Sequence, residues 1–307
     1  MTKRKKFITL LLIILIASLL VCVPVMSVVR SRKAVAEEAE GMQHVTIWQI
    51  DGFEGGKGSR SQYLQKTAEK CFRKRKVYVS VISLTAEAAR LNSEKGERPD
   101  IISYPAGFYG FENYINKKDF VFKTWCRGGY CLLTIDENSD FSDVNSENTV
   151  VNSGKDNLID VALVLNGLNG ATCEPATNAY LNLINGKYKY LFGTQRDVFR
   201  LKARNVQFKI KPPDEFNDLY QNVSILTANN EKYALCNQFI QYLIANSKVG
   251  ELGLFGGDDE LCAEELKPLQ SVEFKYVVNY PCGKDYIDNL KSAAINGDAN
   301  KIKTLLK

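Results

Sequence analysis

The spacing of apolar residues in the first third of the chain predicts strands that alternate with helices. Residues 45–50, 77–82 and 99–103 are rich in β-branched and aromatic residues, which is typical of strands. Between the first two, the apolar residues of 63–72 recur at helical spacing, and residues 85–94 predict a second helix. Strands and helices that alternate in this way favour βαβ units and a parallel sheet, so we expect an α/β fold.

The rest of the chain predicts further elements around a polar loop. Residues 131–135 and 159–165 are apolar enough for strands, and the Asn- and Ser-rich segment 136–157 between them predicts a loop. The remaining pattern predicts helices at 175–184, 230–245, 285–294 and 300–306 and strands at 188–192 and 206–210. Hydrophobic residues make up 45% of the chain, which is enough for a sizeable core.

An uncharged apolar run at residues 7–29 follows the basic residues Lys3, Arg4, Lys5 and Lys6. At a rise of ~1.5 Å per residue the run is long enough to cross the ~30 Å hydrocarbon core of a bilayer. The basic cluster before it favours a cytoplasmic N-terminus and export of the rest of the chain. We therefore expect an N-terminal hydrophobic export or anchor helix.

Three fates of this N-terminal segment remain open. An uncleaved signal anchor fits the length of the run, and Ala34-Val35-Ala36 fits a cleavable signal peptide. Cys22 after Leu19-Leu20-Val21 offers a third possibility, processing as a bacterial lipoprotein. Under each of them, residues 1–33 form a signal anchor or signal peptide, and residues 34–43 form a linker to the body of the protein.

Charge and composition narrow the classes of function. The chain has 40 Lys and Arg against 35 Asp and Glu, but residues 1–33 contribute basic residues and no acid, so the body is near neutral. Nothing in the charge therefore calls for nucleic acid. The single His44 argues against metal sites built on several imidazoles and against His-based catalysis. The eight Cys include no C-x-x-C pair, so zinc is not predicted either, and we expect no metal and no cofactor.

Residues 51–60 place several glycines between a predicted strand and a predicted helix. A phosphate-binding loop needs four residues between its first Gly and its Gly-Lys pair, followed by Ser or Thr. Here three residues separate Gly52 from Gly56, and Gly58 follows Lys57, so nucleotide hydrolysis is not predicted. The glycines still let the backbone approach a ligand closely. A purely structural turn is the alternative interpretation.

A second polar cluster follows the strand predicted at 188–192. Gly193 is followed by Thr194, Arg196 and Asp197, and in open α/β sheets ligands lie beyond the carboxyl ends of strands. The alternative is that Thr194 caps the next helix and that Arg196 and Asp197 form a solvated pair.

Six segments occur in an order that resembles a known family. They are Ile47-Trp48, residues 54–60, residues 99–104, Gly128-Gly129-Tyr130, residues 193–197 and residues 216–220. In this order, behind an export segment, the chain resembles the extracellular solute-binding proteins of bacterial ABC transporters, with the type II periplasmic-binding fold and nearest the sugar-binding branch.

The resemblance implies two α/β lobes joined by a hinge, with solute trapped between them as they close. The first lobe would comprise residues 44–130 and 215–307, and a reduced second lobe would comprise residues 131–214. The hinges would lie near Gly128-Gly129 and Pro212-Pro213. Ligand that contacts both lobes would shift the population toward the closed state.

The implied ligand is a small polar solute, and the sugar-binding branch points to a carbohydrate, with an amino acid, a peptide or an inorganic ion as the alternatives. Sugar sites use aromatic faces and charged hydrogen-bonding partners. The expected ligand-binding residues are Glu54, Arg60, Trp125, Arg127, Tyr130, Arg196 and Asp197. Trp125 and Tyr130 have an alternative role as packing under the hinge, and Trp48 is expected in the core.

The expected function is non-enzymatic capture of this solute and its delivery to the permease of an ABC transporter. The chain would work as a monomer at the extracellular face of the cell membrane, without nucleic acid. A membrane-tethered ligand sensor or scaffold that reuses the fold without transport is the alternative. An exported glycosidase would need two placed carboxylates, and no motif provides them.

Overall fold

The computed structural model describes residues 42–111, 121–154, 158–215, 219–246, 248–256, 264–270 and 283–306. The predicted export or anchor run 7–29, Cys22 and residues 216–218 of the last resembling segment lie outside these ranges. Within them, no helix has both the length and the apolar character that crossing a membrane requires.

The chain divides into a small unit and a large one. The small unit comprises residues 1–44 and 74–78. In its described part, the backbone N–H of Gln43 donates to the carbonyl of Lys76 (3.0 Å), and the rings of His44 and Tyr78 stack at 5.2 Å. The large unit comprises residues 45–73 and 79–307, and the candidate site described below lies entirely within it.

The described strands are numbered here in chain order. They are β1 (Gln43–Ile50), β2 (Val77–Leu84), β3 (Ile101–Pro105), β4 (Phe122–Gly128), β5 (Tyr130–Thr134), β6 (Thr149–Asn152), β7 (Thr172–Glu174), β8 (Tyr190–Thr194), β9 (Lys209–Lys211), β10 (Leu219–Ile225) and β11 (Phe255–Gly256).

The described helices are numbered in the same way. They are α1 (Arg60–Cys71), α2 (Ala86–Glu94), α3 (Ile159–Leu165), α4 (Ala176–Ile184), α5 (Gln195–Ala203), α6 (Asn230–Ala245), α7 (Lys267–Gln270), α8 (Lys284–Ile295) and α9 (Ala299–Leu305). Two 3₁₀ turns add Val249–Leu252 and Glu264–Leu266.

Two mixed sheets organise these elements. The first has the strand order β11-β4-β10-β3-β1-β2, and the second has the order β7-β6-β8-β5-β9. In the first, β1 is parallel to β3 while β10 is antiparallel to both β3 and β4. In the second, β6 is parallel to β7 and β8 while β5 is antiparallel to both β8 and β9. The predicted α/β class is confirmed and the fold has two sheets, but both are mixed rather than parallel, because β10 and β5 each pair antiparallel with both of their neighbours.

The chain passes between the sheets at two described places. β4 ends at Gly128 and β5 begins at Tyr130, so a single residue, Gly129, separates the sheets there. The return runs from the end of β9 at Lys211 to the start of β10 at Leu219. The hinges expected from the sequence, near Gly128-Gly129 and Pro212-Pro213, are close to these two points of the chain.

Each sheet has its own apolar core. Trp48, Ile102 and Tyr104 belong to a buried cluster on the first sheet, so Trp48 lies in the core as the pattern predicts. Leu133, Leu191 and other strand residues of the second sheet pack with α4 and α5. This second cluster also contains Phe255, Leu266 and Leu269 from the C-terminal part of the chain.

The C-terminal helices contact the second lobe of the sequence analysis. Both α8 and α9 contact α3, and Lys303 Nζ of α9 lies 3.6 Å from a carboxylate oxygen of Glu215. Ile287 and Leu290 of α8 are fully buried. We therefore propose a changed boundary between the two lobes, in which the described residues 264–270 and 283–306 belong with the second sheet.

One predicted strand is wrong. Residues 159–165 form the helix α3, and the predicted loop 136–157 contains the strand β6. The sequence Ile-Asp-Val-Ala-Leu-Val-Leu is apolar at six of seven positions, and its last five residues are all buried. A short, continuous apolar run has no periodicity that separates a buried strand from a buried helix, so the pattern could not decide between them.

Candidate functional site

The loop between β1 and α1 lies at the carboxyl end of the first sheet and is anchored by Arg60. The Arg60 guanidinium donates to a carboxylate oxygen of Asp51 (2.9 Å), to Gln221 Oε1 (3.3 Å) and to the carbonyl of Phe53 (2.6 Å). It also lies 4.1 Å above the centre of the Phe53 ring. Arg60 is 4% exposed, so most of its hydrogen-bonding capacity is used by the first sheet itself.

The same polar network continues into the sheet. Gln221 of β10 donates from Nε2 to the carbonyl of Ile50 (3.1 Å) and to Ser103 Oγ (3.0 Å). The indole N–H of Trp125 donates to the same Ser103 oxygen (3.0 Å). Buried polar groups of this kind rigidify a site when they are mutually satisfied, so the network fixes the base of the loop.

On the second sheet, α5 begins with a capping box. The Thr194 side chain accepts from the backbone N–H of Arg196 (3.3 Å), and the Asp197 side chain accepts from the backbone N–H of Thr194 (3.0 Å). Both interactions satisfy N–H groups that the start of a helix leaves without partners. The capping role weighed for Thr194 in the sequence analysis is therefore present.

Asp197 is also the centre of a buried cluster that holds two donor groups. Asn152, at the end of β6, donates to one carboxylate oxygen of Asp197 (2.8 Å), and Arg200 pairs with the other (2.6 Å). Burial raises the pKa of Asp197, and the hydrogen bonds from Asn152 and Thr194 and the charge of Arg200 oppose this rise. Asp197 thus positions the side chains of Asn152 and Arg200.

Glu54 of the loop reaches across to this cluster. Arg200 donates from Nη2 to Glu54 Oε1 (2.8 Å) and from Nη1 to Glu54 Oε2 (3.1 Å), which is a bidentate ion pair. Asn152 Nδ2 donates to Glu54 Oε2 as well (3.1 Å). The Glu54 carboxylate, on the loop that follows β1 of the first sheet, therefore accepts three hydrogen bonds from residues in or next to the second sheet.

Backbone groups add further contacts around Glu54. Gln195 is fully buried, donates to the carbonyl of Glu54 (2.7 Å) and accepts from the backbone N–H of Gly129 (2.9 Å). Arg196 donates to the carbonyl of Gly56. A side chain on Gly128 would place its Cβ 2.6 Å from Gln195 Oε1, so any larger residue there would displace the buried Gln195 amide.

A cavity of about 610 Å³ opens beside the Glu54–Arg200 pair. Its lining includes the four cationic side chains Lys57, Arg60, Arg196 and Arg200. Among the described residues that line it, the carboxylates are Asp51 and Glu54, and both are already paired with arginines. The cavity lies at the carboxyl ends of parallel strands, where ligands of open α/β sheets bind.

A second cavity of about 470 Å³ shares Lys57, Arg196 and Arg200 with the first. It adds Phe199, Lys202, Ala203 and Arg204, and among its described lining residues none is acidic. The Lys57 ammonium lies 4.5 Å from the centre of the Phe199 ring, and Lys202 pairs with Glu265. The surroundings of Arg196 are thus predominantly cationic.

The residues expected at the site fall into two groups. Glu54, Arg60 and Arg196 line the larger cavity, and Asp197 is fully buried behind Arg200. By contrast, the described lining of either cavity does not include the three residues expected at the first crossing, which are Trp125, Arg127 and Tyr130.

These three side chains are packed in the protein interior. Trp125 is fully buried and stacks on Tyr63 at 5.8 Å. Tyr130 is 1% exposed and stacks on Phe192 at 5.3 Å, and the guanidinium of Arg127 lies 5.1 Å from the centre of the Phe255 ring. The surroundings of Trp125 and Tyr130 fit their alternative role, which is packing near Gly129, where the chain passes between the sheets.

Four residues at the site were not expected there from the sequence, namely Asn152, Gln195, Arg200 and Lys57. Arg200 lies three residues after Asp197 in a helix, and charges at this spacing face each other, so a signal for it existed. Asn152 had no such signal, because the strand that it ends was predicted as loop. Gln195 lies in one of the six resembling segments, residues 193–197, but no ligand-binding role was expected for it.

The cysteines and possible metal ligands of the described residues lie apart from one another, and Cys126 and Cys131 are buried. Among them, no three His, Cys, Asp or Glu side chains are grouped to hold a metal ion. Burial raises the pKa of the Cys126 and Cys131 thiols well above the ordinary value, so both stay protonated near neutral pH. The arrangement is suited to holding a charged group between two sheets.

Comparisons with known proteins give distant structural likenesses. No family model matches the chain, and no curated protein matches it. A substrate-binding protein of an ABC transporter from Agrobacterium tumefaciens is similar at a TM-score of 0.49 and 9% identity, over 84% of this chain and 96% of that one. Likenesses of this size carry no argument about what this chain binds.

Two further solved structures give the same kind of result. The substrate-binding domain of a putative molybdenum ABC transporter from Clostridium difficile has a TM-score of 0.47 at 13% identity, over 69% of this chain and 97% of that one. A polar amino acid ABC uptake transporter substrate-binding protein from Streptococcus thermophilus has a TM-score of 0.45 at 15% identity, over 71% and 86%.

Proposed function

We propose that this chain is a non-enzymatic binding protein that captures a small anionic or zwitterionic solute between two lobes. The observation that carries the proposal is the bidentate pair of Glu54 and Arg200, which joins the carboxyl ends of the two sheets beside a cationic cavity. The lobes follow the two sheets, and the crossings at Gly129 and after Lys211 act as hinges. Contacts that a solute makes to both sides stabilise the closed arrangement.

The charge of the cavity supports an anion more strongly than a neutral sugar. Arg196 and Lys57 line both cavities, and within the described structure neither forms an ion pair. The aromatic faces expected for a carbohydrate, Trp125 and Tyr130, do not line the described cavities, and the face of Phe53 is covered by Arg60. A carbohydrate therefore remains the second candidate class of solute, with weaker support.

Export and delivery to a permease form the remainder of this proposal. They rest on the apolar run 7–29 and on the six segments that resemble ABC-transporter solute-binding proteins. In this proposal the protein works as a monomer on the extracellular face of the cell membrane, attached by the N-terminal run or released from it.

A membrane-tethered sensor or scaffold is the second candidate function. It is favoured by one observation, that the protein's own Glu54 fills the fork of Arg200 and so links the lobes directly. A scaffold needs a stable link of this kind, whereas a transport protein must exchange it for solute.

We expect anions to bind in the cavity and Arg196 to hold them. Titrating the protein with succinate, glutamate and inorganic phosphate by calorimetry should give binding, while glucose and maltose should give none. Arg196→Ala should weaken anion binding by about tenfold to a hundredfold, since a hydrogen bond to a charged group contributes ~1.5–3 kcal/mol. The melting temperature without added anion should change little, because Arg196 is partly exposed.

Lys66→Ala is the matched control, because Lys66 is exposed on α1 and lines neither cavity. This control should leave both affinity and melting temperature unchanged. Binding of the sugars with no response to the anions would instead favour the carbohydrate reading. A response to none of these probes would favour the scaffold.

A further inference from the structure

The Glu54 carboxylate is bound as a ligand would be bound. All three of its N–H contacts, at 2.8, 3.1 and 3.1 Å, come from Asn152 and Arg200, on the opposite sheet. The planar fork of Arg200 meets both carboxylate oxygens, which is the geometry by which guanidinium recognises carboxylates.

The two donor side chains are held in place without Glu54. Asn152 and Arg200 each also bind Asp197, at 2.8 and 2.6 Å. Asp197 is fully buried and is fixed in turn by the capping box of α5. Because this support comes entirely from the second sheet, the donors keep their positions when Glu54 leaves.

Glu54 is also placed where it can leave. Its side chain is 19% exposed and that of Arg200 is 23% exposed, and both line the cavity of about 610 Å³. The backbone of the loop is held, because Gln195 donates to the carbonyl of Glu54 (2.7 Å) and Arg196 donates to the carbonyl of Gly56, so Glu54 leaves by turning its side chain. A carboxylate in the cavity can therefore reach the Arg200 fork once Glu54 turns away.

We propose that Asn152 and Arg200 form a carboxylate-binding site that Glu54 occupies as an internal ligand, and that the carboxylate of a small organic acid binds there by displacing Glu54. This deepens the proposed function and rests on it, because it names carboxylates as the anions that are recognised. It also changes the role of Glu54, from a residue that holds the solute to one that competes with it.

Competition of this kind lowers the apparent affinity in a predictable way. External carboxylate binds only to the fraction of molecules in which Glu54 has left the fork, so the apparent Kd is the intrinsic Kd divided by that fraction. Removing the charge of Glu54 raises the fraction toward one. Affinity for an external carboxylate should then rise, whereas a residue that contacts solute would lower affinity when removed.

The test is calorimetric titration of the parent protein and of Glu54→Gln with succinate and, separately, with inorganic phosphate. Glu54→Gln keeps the shape of the side chain and loses its charge. We expect it to bind succinate at least about tenfold more tightly than the parent does. Glu54→Asp keeps the charge but shortens the reach to Arg200, so it should shift affinity in the same direction and replaces Glu54→Gln if that variant does not fold.

Glu87→Gln is the matched control, since Glu87 is exposed on α2 and lines neither cavity, and its affinity should equal that of the parent. Equal or weaker succinate binding by Glu54→Gln, with binding by the parent intact, overturns the internal-ligand proposal and leaves the proposed function standing. If both proteins bind phosphate and neither binds succinate, the internal-ligand proposal is likewise overturned and the proposed function stands. Failure of both proteins to bind either anion overturns both proposals.

Discussion

Replacing Asp197 with alanine should lower the free energy of unfolding by about 2–5 kcal/mol, because each buried donor that loses its acceptor costs ~1–3 kcal/mol. Asp197 is fully buried and accepts hydrogen bonds from Asn152, Arg200 and the backbone of Thr194. Its loss leaves the Thr194 N–H without its partner and removes the support that positions the two side chains. We therefore expect a large effect on folding in addition to any effect on binding.

Urea unfolding of the parent and of Asp197→Ala measures this effect. Asp214→Ala is the control, because the Asp214 side chain is 80% exposed and its pair with Lys211 spans 3.1 Å at the surface. Exposed pairs contribute about 0–1 kcal/mol, so this control should be nearly neutral. Unchanged stability of Asp197→Ala together with lost solute binding would show that Asp197 acts on the solute rather than on the helix start.

Replacing Arg60 with methionine should also destabilise the protein, by about 2–5 kcal/mol. The change leaves Gln221 Oε1 and the carbonyl of Phe53 without their donor, and each buried group that loses its partner costs ~1–3 kcal/mol. It also removes the ion-pair partner of Asp51, which is partly exposed and keeps the hydrogen bond from Gln49 (3.1 Å). Methionine keeps most of the side-chain volume, so the loss reports mainly on the polar network.

Lys66→Met provides the control on the same helix, since Lys66 is exposed and the change there alters only the surface. Chemical unfolding should separate the two variants clearly. If Arg60→Met instead matched the control in stability and lost affinity for anions, Arg60 would act as a solute-binding residue, as the sequence analysis expects.

The sequence predicted elements well where their periodicity was unambiguous. The apolar stripe of α6 gave its range, Asn230–Ala245, and the N-cap Thr85 before α2 accepts from the backbone N–H of Ala88 (3.1 Å). The glycine-rich loop and the Gly193–Asp197 segment were recognised because polar residues follow the ends of predicted strands.

The rest depended on contacts between segments far apart in the chain. The sequence of β10 is Leu-Tyr-Gln-Asn-Val-Ser-Ile, and its polar residues Gln221, Asn222 and Ser224 are buried. Because these residues interrupt the apolar pattern, this central strand was not predicted. Trp125 was expected at the site as a sugar-binding aromatic, and no local pattern reports its contacts with Ser103 and Tyr63. No local pattern reports that Glu54 faces Arg200, since 146 positions separate them.

The exchange of strands between the two halves of the chain has a consequence for the order of folding. Every strand of the second sheet comes from one continuous segment, β5 to β9, so its pairings are complete once residue 211 is present. The first sheet has β10 between β3 and β4, and β10 begins only at Leu219. During synthesis from the N-terminus, β3 and β4 therefore lack β10, the strand that lies between them, while the second sheet can already form. The second sheet, although made later, therefore has all its described strands first, and the first sheet is completed only by the late, non-local pairing of β10 with β3 and β4 and then of β11 with β4.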